Sequence, residues 1–189
     1  DGVDDGVSED VSSMDWTSSW SIGAWVKVEQ DESGDERVVS IINGTGDEGL
    51  LISTEGSSWK IVSNGKTPGS GGSWSTGNWN LMFMTWNTTH LELYDDGNFV
   101  YNVQPSSFNF LSNIETFQVG GNPNGQFFSE QPVNGKYDTA YIYSRELGQS
   151  EISDLASNKF IRSGNYLTWR MDKGSAGTAF DTHHRVSQY

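Results

Sequence analysis

Three sets of residues could do chemistry here, and the chemistry they suggest is recognition. The string DGVDD supplies Asp1, Asp4 and Asp5, and Asp172 and Asp181 lie near the other end. Carboxylate oxygens of this kind are what calcium takes as ligands. The competing role is local: Asp4 and Asp5 would serve a turn, and Asp181 would bond its own backbone. No complete ligand pattern such as an EF-hand loop is present. The second set is aromatic. Trp74 stands in the Gly/Ser-rich run NGKTPGSGGSWSTGN, bordered by Trp59 and Trp79, and Tyr94 and Tyr101 fall on a neighbouring hairpin pattern. Exposed rings beside Asn and Asp would stack on a sugar while the polar groups bond its hydroxyls. The same rings could instead be core, which is the expectation for Trp79. The third set is the sequons Asn43-Gly44-Thr45 and Asn87-Thr88-Thr89, candidate glycosylation sites at Asn43 and Asn87. His90, His183 and His184 have no Ser or Cys nucleophile motif around them, and adjacent histidines on a loop point apart.

The elements that must hold these residues read as strands. In WSIGAWVKV, residues 20 to 28, Trp20, Ile22, Ala24, Val26 and Val28 share one face. RVVSII (37 to 42) follows an acidic loop. GLLIST (49 to 54) and SWKIVS (58 to 63) flank a turn at Glu55-Gly56, and residues 64 to 78 read as a long polar loop. WNLMFMTW (79 to 86) is apolar on both faces and predicts a central strand covered on both sides. HLELYDDGNFVYNV (90 to 103) is a hairpin with Asp96-Gly97 at its tip, because Asp-Gly supplies the positive φ angles of a tight turn. IETFQVGG (114 to 121), YDTAYIYS (137 to 144) and YLTWRM (166 to 171) continue the pattern. LGQSEISDLASNKF (147 to 160) alone reads as helix, with Ser150 as its cap. The predicted core is Ile22, Ala24, Val26, Leu81, Phe83, Leu91, Leu93, Val119, Ala140 and Ile142.

The totals agree. The chain has 189 residues, enough for one domain with a sizeable core. Twenty-two glycines against four prolines, with Ser, Thr and Asn between apolar stretches, suit many short strands and turns. A net charge of −14 repels nucleic acid, and with lysine scarce it suits either a salt-adapted or marine surface protein or an ordinary acidic extracellular module. With no cysteine, neither a disulfide framework nor a zinc-thiolate site can form. No apolar run approaches the roughly 20 residues of a membrane span. Without an initiator Met or leader, the chain reads as an excerpt or processed product. The fold expected is an all-β, two-sheet antiparallel jelly-roll sandwich with one short helix.

Several stretches are similar to the laminin-G-like, concanavalin A-like jelly-roll domains. They are WSIGAWVKV, WNLMFMTWNTTHLELYDDGNFV and VNGKYDTAYIYSRELGQSEISDL. In the last, Gly135, Asp138, Ile142, Tyr143, Arg145, Leu147, Glu151 and Ile152 keep the family's spacing, while Tyr137 stands where the family usually has Ile. The family's opening strand resembles Leu167, Trp169 and Asp172, followed by Gly174, Ser175, Gly177, Ala179 and Asp181. Here those residues come last, so the order reads as rotated. Residues 1–164 would then be the sandwich, and 165–189 would complete it by circular permutation. Alternatively that segment, through Leu167, Trp169 and Met171, would enter a neighbouring copy, or it would begin the next domain of a tandem array. If the ends meet, the two aspartate groups approach each other.

Enzymes of this sandwich, the retaining β-glucanases, carry an E-x-D-x-x-E or E-x-D-x-E strand that holds two carboxyls about 5–5.5 Å apart. No such string occurs, and Glu48, Glu55, Glu151 and Asp154 lie outside any strand pattern that would converge them. The resemblance therefore implies a non-catalytic module, extracellular or on a cell or virion surface, serving adhesion or assembly. Its partners would be copies of itself or neighbouring domains. The alternative is a carbohydrate-binding module of a polysaccharide-acting protein. Calcium is the one cofactor the residues suggest.

Overall fold

The computed structural model describes residues 6–30, 36–46, 48–63, 66–104, 109–120 and 131–170. Among these described residues, thirteen strands build two sheets. They are β1 (Gly6–Asp10), β2 (Trp20–Val28), β3 (Glu36–Asn43), β4 (Gly49–Glu55), β5 (Ser58–Ser63), β6 (Lys66–Gly71), β7 (Trp79–Trp86), β8 (Leu91–Asp95), β9 (Asn98–Val103), β10 (Ile114–Gly120), β11 (Gln131–Pro132), β12 (Gly135–Tyr143) and β13 (Asn165–Arg170). An α-helix, α1, spans Gln149–Ala156. The first sheet runs β1-β10-β3-β4-β5-β6, with β11 paired parallel to β3; the second runs β13-β12-β2-β7-β8-β9. Every other pairing is antiparallel, so this is the expected two-sheet sandwich.

Strand alternation decides what enters the core. From the second sheet, Trp20, Ile22, Ala24, Val26, Met82, Met84, Leu91, Leu93 and Ile142 face Val39, Ile41, Leu50, Ile52, Trp59, Ile61, Phe117 and Val119 of the first. The other face of β7 carries Leu81 and Phe83, which are also fully buried. They lie with Tyr94, Tyr141 and Tyr143 beneath Leu147, Ile152 and Leu155, the apolar side of α1 and its approach. The doubly apolar WNLMFMTW is thus a central strand covered on both sides. All ten predicted core residues are buried, but Leu81 and Phe83 belong to this second layer. Ile42, Leu51 and Val62 form a third cluster, on the other face of the first sheet.

Three expectations need correction. Residues 64 to 78 are not one long loop, since Lys66–Gly71 is a strand. Its glycines permit it: a Cβ on Gly69 would come within 2.7 Å of the Tyr101 ring, and one on Gly71 within 2.9 Å of Val100. Glycine therefore lets β6 close over β9, and composition alone mimics a loop. The helix cap is Gly148, not Ser150, which lies inside α1. Glu151 Oε2 accepts the Gly148 N–H at 3.2 Å, and Arg145 locks the same carboxylate from the other side. Trp79 is half-buried and stands outside the core clusters.

Strand β13 pairs antiparallel with β12, with Leu167 opposite Ile142, and Leu167 is buried in the inter-sheet core. Trp169 lies opposite Ala140 in this register. Met171 lies outside the described residues.

Candidate functional site

The hairpin β8–β9 positions the groups of interest. Asp96 (φ 50°) and Gly97 (φ 80°) form its turn, both left-handed, as the strand twist requires. Ser153 of α1 donates its hydroxyl to Gly97 O at 3.0 Å, which ties the helix to the hairpin tip. Leu91 and Leu93 point into the core, so Glu92 and Tyr94 point to the outer face. Glu92 lies opposite Asn102, and Tyr94 opposite Phe99. A register shift between Leu93 and Tyr94 turns Phe99 outward. Its ring meets Tyr94 edge to face at 5.9 Å yet stays 45% exposed. Among the described residues only Phe99 and Phe160 are large, apolar and exposed.

Beside Phe99 lies a chain of hydrogen bonds. Asn87 Oδ1 accepts from Thr89 N (3.1 Å), Thr89 Oγ1 (2.8 Å) and His90 N (3.0 Å), which fixes the amide so that Nδ2 faces His90 Nε2 at 3.0 Å. Thr89 spends its hydroxyl proton on Asn87, so it accepts from His90 Nδ1 at 2.9 Å. His90 Nε2 also lies 3.0 Å from Glu92 Oε1. A neutral ring takes the Asn87 N–H there; a protonated ring gives its own N–H to Glu92. Tyr94 donates its hydroxyl to Glu92 Oε2 at 2.5 Å, and burial together with that carboxylate pushes the phenol's pKa up. Thr88, in the turn that presents His90, sits at φ 74°, a left-handed conformation that a β-branched residue adopts only under strain.

The residues expected to form a sugar platform are elsewhere. Trp74 is buried, stacked at a tilt on Trp59 with centroids 6.0 Å apart. Tyr101 turns inward, accepting Ile61 N–H at 2.7 Å and donating to Gly69 O. Tyr94 is buried beneath Phe99, so of the three it alone touches the outer face. Tyr101 is covered by Gly69 and Gly71 of β6, and Trp74 is enclosed in the inter-sheet core. Around Trp59, Asp95 accepts from Trp59 Nε1 (3.1 Å) and Asn80 Nδ2 (3.2 Å). Burial, and then the Asp96 charge, hold its carboxyl above the usual range.

The other candidates are dispersed. Asp1, Asp4, Asp5, Asp172 and Asp181 lie outside the described residues, and among the described residues no group of three or more metal-ligating side chains occurs. Asn43 lines a shallow depression of about 620 Å³ with Thr45, Glu48, Asn113 and Glu115. Asn87 is held in the turn beside His90. Of the acidic residues weighed for catalysis, Glu151 pairs with Arg145 at 2.9 and 2.5 Å, and Asp154 pairs with Lys159 at 2.7 Å.

The family model of the concanavalin A-like lectin/glucanases superfamily, Laminin_G_3, matches residues 1–153. The chain belongs to this superfamily. A search of curated protein sequences returns no match. Among solved structures, this superfamily member is similar to a heptameric SAP-like pentraxin from Limulus polyphemus (TM-score 0.63, 12% identity, 88% of this chain and 82% of that one). It also resembles a Bacteroides ovatus protein named for carbohydrate binding (TM-score 0.63, 15% identity, 88% and 50%). A third likeness is to Trypanosoma rangeli sialidase in complex with sialic acid (TM-score 0.67, 19% identity, 82% and 26%). The chain thus spans about a quarter of the sialidase. At these identities the likeness is one of fold.

Sequence reasoning missed Phe99, Glu92 and His90 as a group. The signal was there: in HLELYDDGNF the alternation places His90, Glu92 and Tyr94 on one side, and the Asp-Gly turn brings Phe99 back beside Tyr94.

Proposed function

We propose that this chain is a non-catalytic glycan-recognition module, extracellular or surface-borne, serving adhesion. One observation carries this: an exposed Phe99 ring, braced by Tyr94, beside the partly exposed carboxylate of Glu92 and the amide of Asn102. A sugar presents an apolar C–H face and a rim of hydroxyls, and this site offers a ring for the first and acceptors for the second. The carbohydrate-binding name of one structural neighbour supports the same use. The test is a glycan array followed by titration calorimetry of any hit. Phe99→Ala should abolish binding while the melting temperature stays within a few degrees. Hydrolysis of a β-glucan by the purified chain would overturn the non-catalytic part.

A second reading concerns assembly. Among the described residues, strand β13 sits at a sheet edge, bonded to β12 alone, and it lies beyond the end of the family match at residue 153. An edge seat of this kind can be filled by the same segment of another copy. Deleting 165–189 should then cause unfolding or aggregation that a peptide of that sequence reverses in trans, and intact protein should polymerise. A compact monomer at every concentration would refute exchange. Calcium remains a proposal for Asp1, Asp4, Asp5, Asp172 and Asp181: a chelator should lower the melting temperature and excess calcium restore it. Identical curves would remove it.

A further inference from the structure

We infer that the Phe99 site selects its saccharide by charge, taking neutral or amine-bearing sugars and rejecting carboxylated and sulfated ones. The inference rests on the glycan reading above and adds the class of ligand. It starts from Glu92, whose side chain is 20% exposed and lies in the hairpin row that Phe99 borders. Oε2 accepts the Tyr94 hydroxyl, which holds the carboxylate in place, and Oε1 lies 3.0 Å from His90 Nε2. A carboxylate oxygen has two lone pairs, so each keeps one to accept a ligand O–H or N–H. A ligand carboxylate or sulfate placed there would set acceptor against acceptor and charge against charge.

The surroundings reinforce this. Glu146, in the segment leading to α1, adds a second negative charge that is felt at Tyr94. Arg145, from the same segment, has its guanidinium committed to Glu151, Ser163 O and Glu146 O. His90 is the local cation source, and in its neutral form it takes the Asn87 amide N–H. The groups facing the His90 ring are Glu92 from β8 and Asn87 and Thr89 from the turn, with Tyr94 one bond further along.

The test compares neutral, amino-, sialylated and sulfated glycans on one array, with Kd values for the hits at pH 7.5 in low and physiological salt. The expected result is at least tenfold weaker binding of sialylated and sulfated ligands at low salt, with the gap narrowing at physiological salt. Glu92→Gln, which keeps an acceptor for Tyr94, should narrow the gap at low salt. If that variant fails to fold, the salt series on the unmodified chain decides alone. Equal or tighter binding of sialylated or sulfated ligands at pH 7.5, lost with Phe99→Ala, overturns the charge selection and leaves glycan recognition standing. If no glycan binds, glycan recognition falls and takes the selection with it.

Discussion

The hairpin β8–β9 has an aromatic cluster on each of its faces, and the two are built for different ends. On the inner face Trp59, Trp74 and Tyr101 pack in the inter-sheet core, with Tyr101 against Gly69 and Gly71 of β6. There the Trp59 indole bonds to Asp95, and Tyr101 bonds to backbone of β5 and β6. On the outer face Tyr94 is buried but Phe99 is not, and Glu92 keeps accepting capacity toward solvent. The inner cluster is shut away from solvent, with the Trp59 and Tyr101 polar groups bonded inside the fold, so it serves stability. The outer cluster holds its polar groups in place and still presents them, and that is what a binding site needs.

The largest effect expected is on the inner side. Trp59→Ala removes a fully buried indole and leaves Asp95 short of a donor. A loss of about 3–5 kcal/mol in chemical denaturation should follow. Phe99→Ala should cost under about 0.5 kcal/mol, as an exposed residue does, yet remove glycan binding. If Trp59→Ala is mild, or Phe99→Ala unfolds the chain, the division of labour between the faces is wrong.

Next comes the closure of β6 over β9. Gly69→Val would drive a branched side chain into the Tyr101 ring, 2.7 Å from the position of its Cβ. About 1–3 kcal/mol should be lost by overpacking. Pairing it with Tyr101→Ala should recover part of that loss, which a double-mutant cycle would measure.

That contact also explains what the sequence conveyed and what it withheld. Alternation in WSIGAWVKV and the double-sided WNLMFMTW gave both sheet faces correctly, because a buried strand must be apolar wherever it is covered. The hairpin was legible because Asp96-Gly97 dictates its turn. Strand β6 was not legible, since its glycines reflect a neighbour 32 residues away in sequence and carry no local strand signal. Trp74 looked exposed because the Gly/Ser-rich run around it reads as a solvated loop, whereas it is enclosed in the inter-sheet core. The outer-face row was written in alternation and in the Asp-Gly turn that sets Phe99 beside Tyr94, whereas the register shift that sets Tyr101 on the opposite face from Phe99 has no local signal.

A smaller effect concerns what holds α1 on the outer face. Arg145 clasps Glu151 with two bonds, and that bond chiefly, with the Arg145 charge behind it, holds the Glu151 carboxyl below its ordinary value of 4.5. A depressed acid stabilises the fold fully above the ordinary value and loses that contribution as pH falls through the depressed one. Glu151→Gln should therefore cost about 1 kcal/mol at neutral pH, and the difference from the parent should vanish in acid. A difference independent of pH would mean that the pair is replaced by water at little cost.

The smallest effect belongs to Thr88. Its φ of 74° costs a β-branched residue on the order of 1–2 kcal/mol. Glycine relieves this but loses about 0.5–1 kcal/mol through the freedom it adds to the unfolded chain. Thr88→Gly should thus stabilise the protein by about 0.5 kcal/mol, the difference between those ranges. The strain is informative only if something depends on it, and what depends on it here is the aim of His90 at Glu92. NMR signals of the His90 ring should move in the glycine variant, because a relaxed turn holds the ring less firmly against the carboxylate. The inner cluster should keep its indole chemical shifts. Unmoved His90 ring signals together with a gain in stability would make Thr88 a local packing compromise and detach it from the outer-face site.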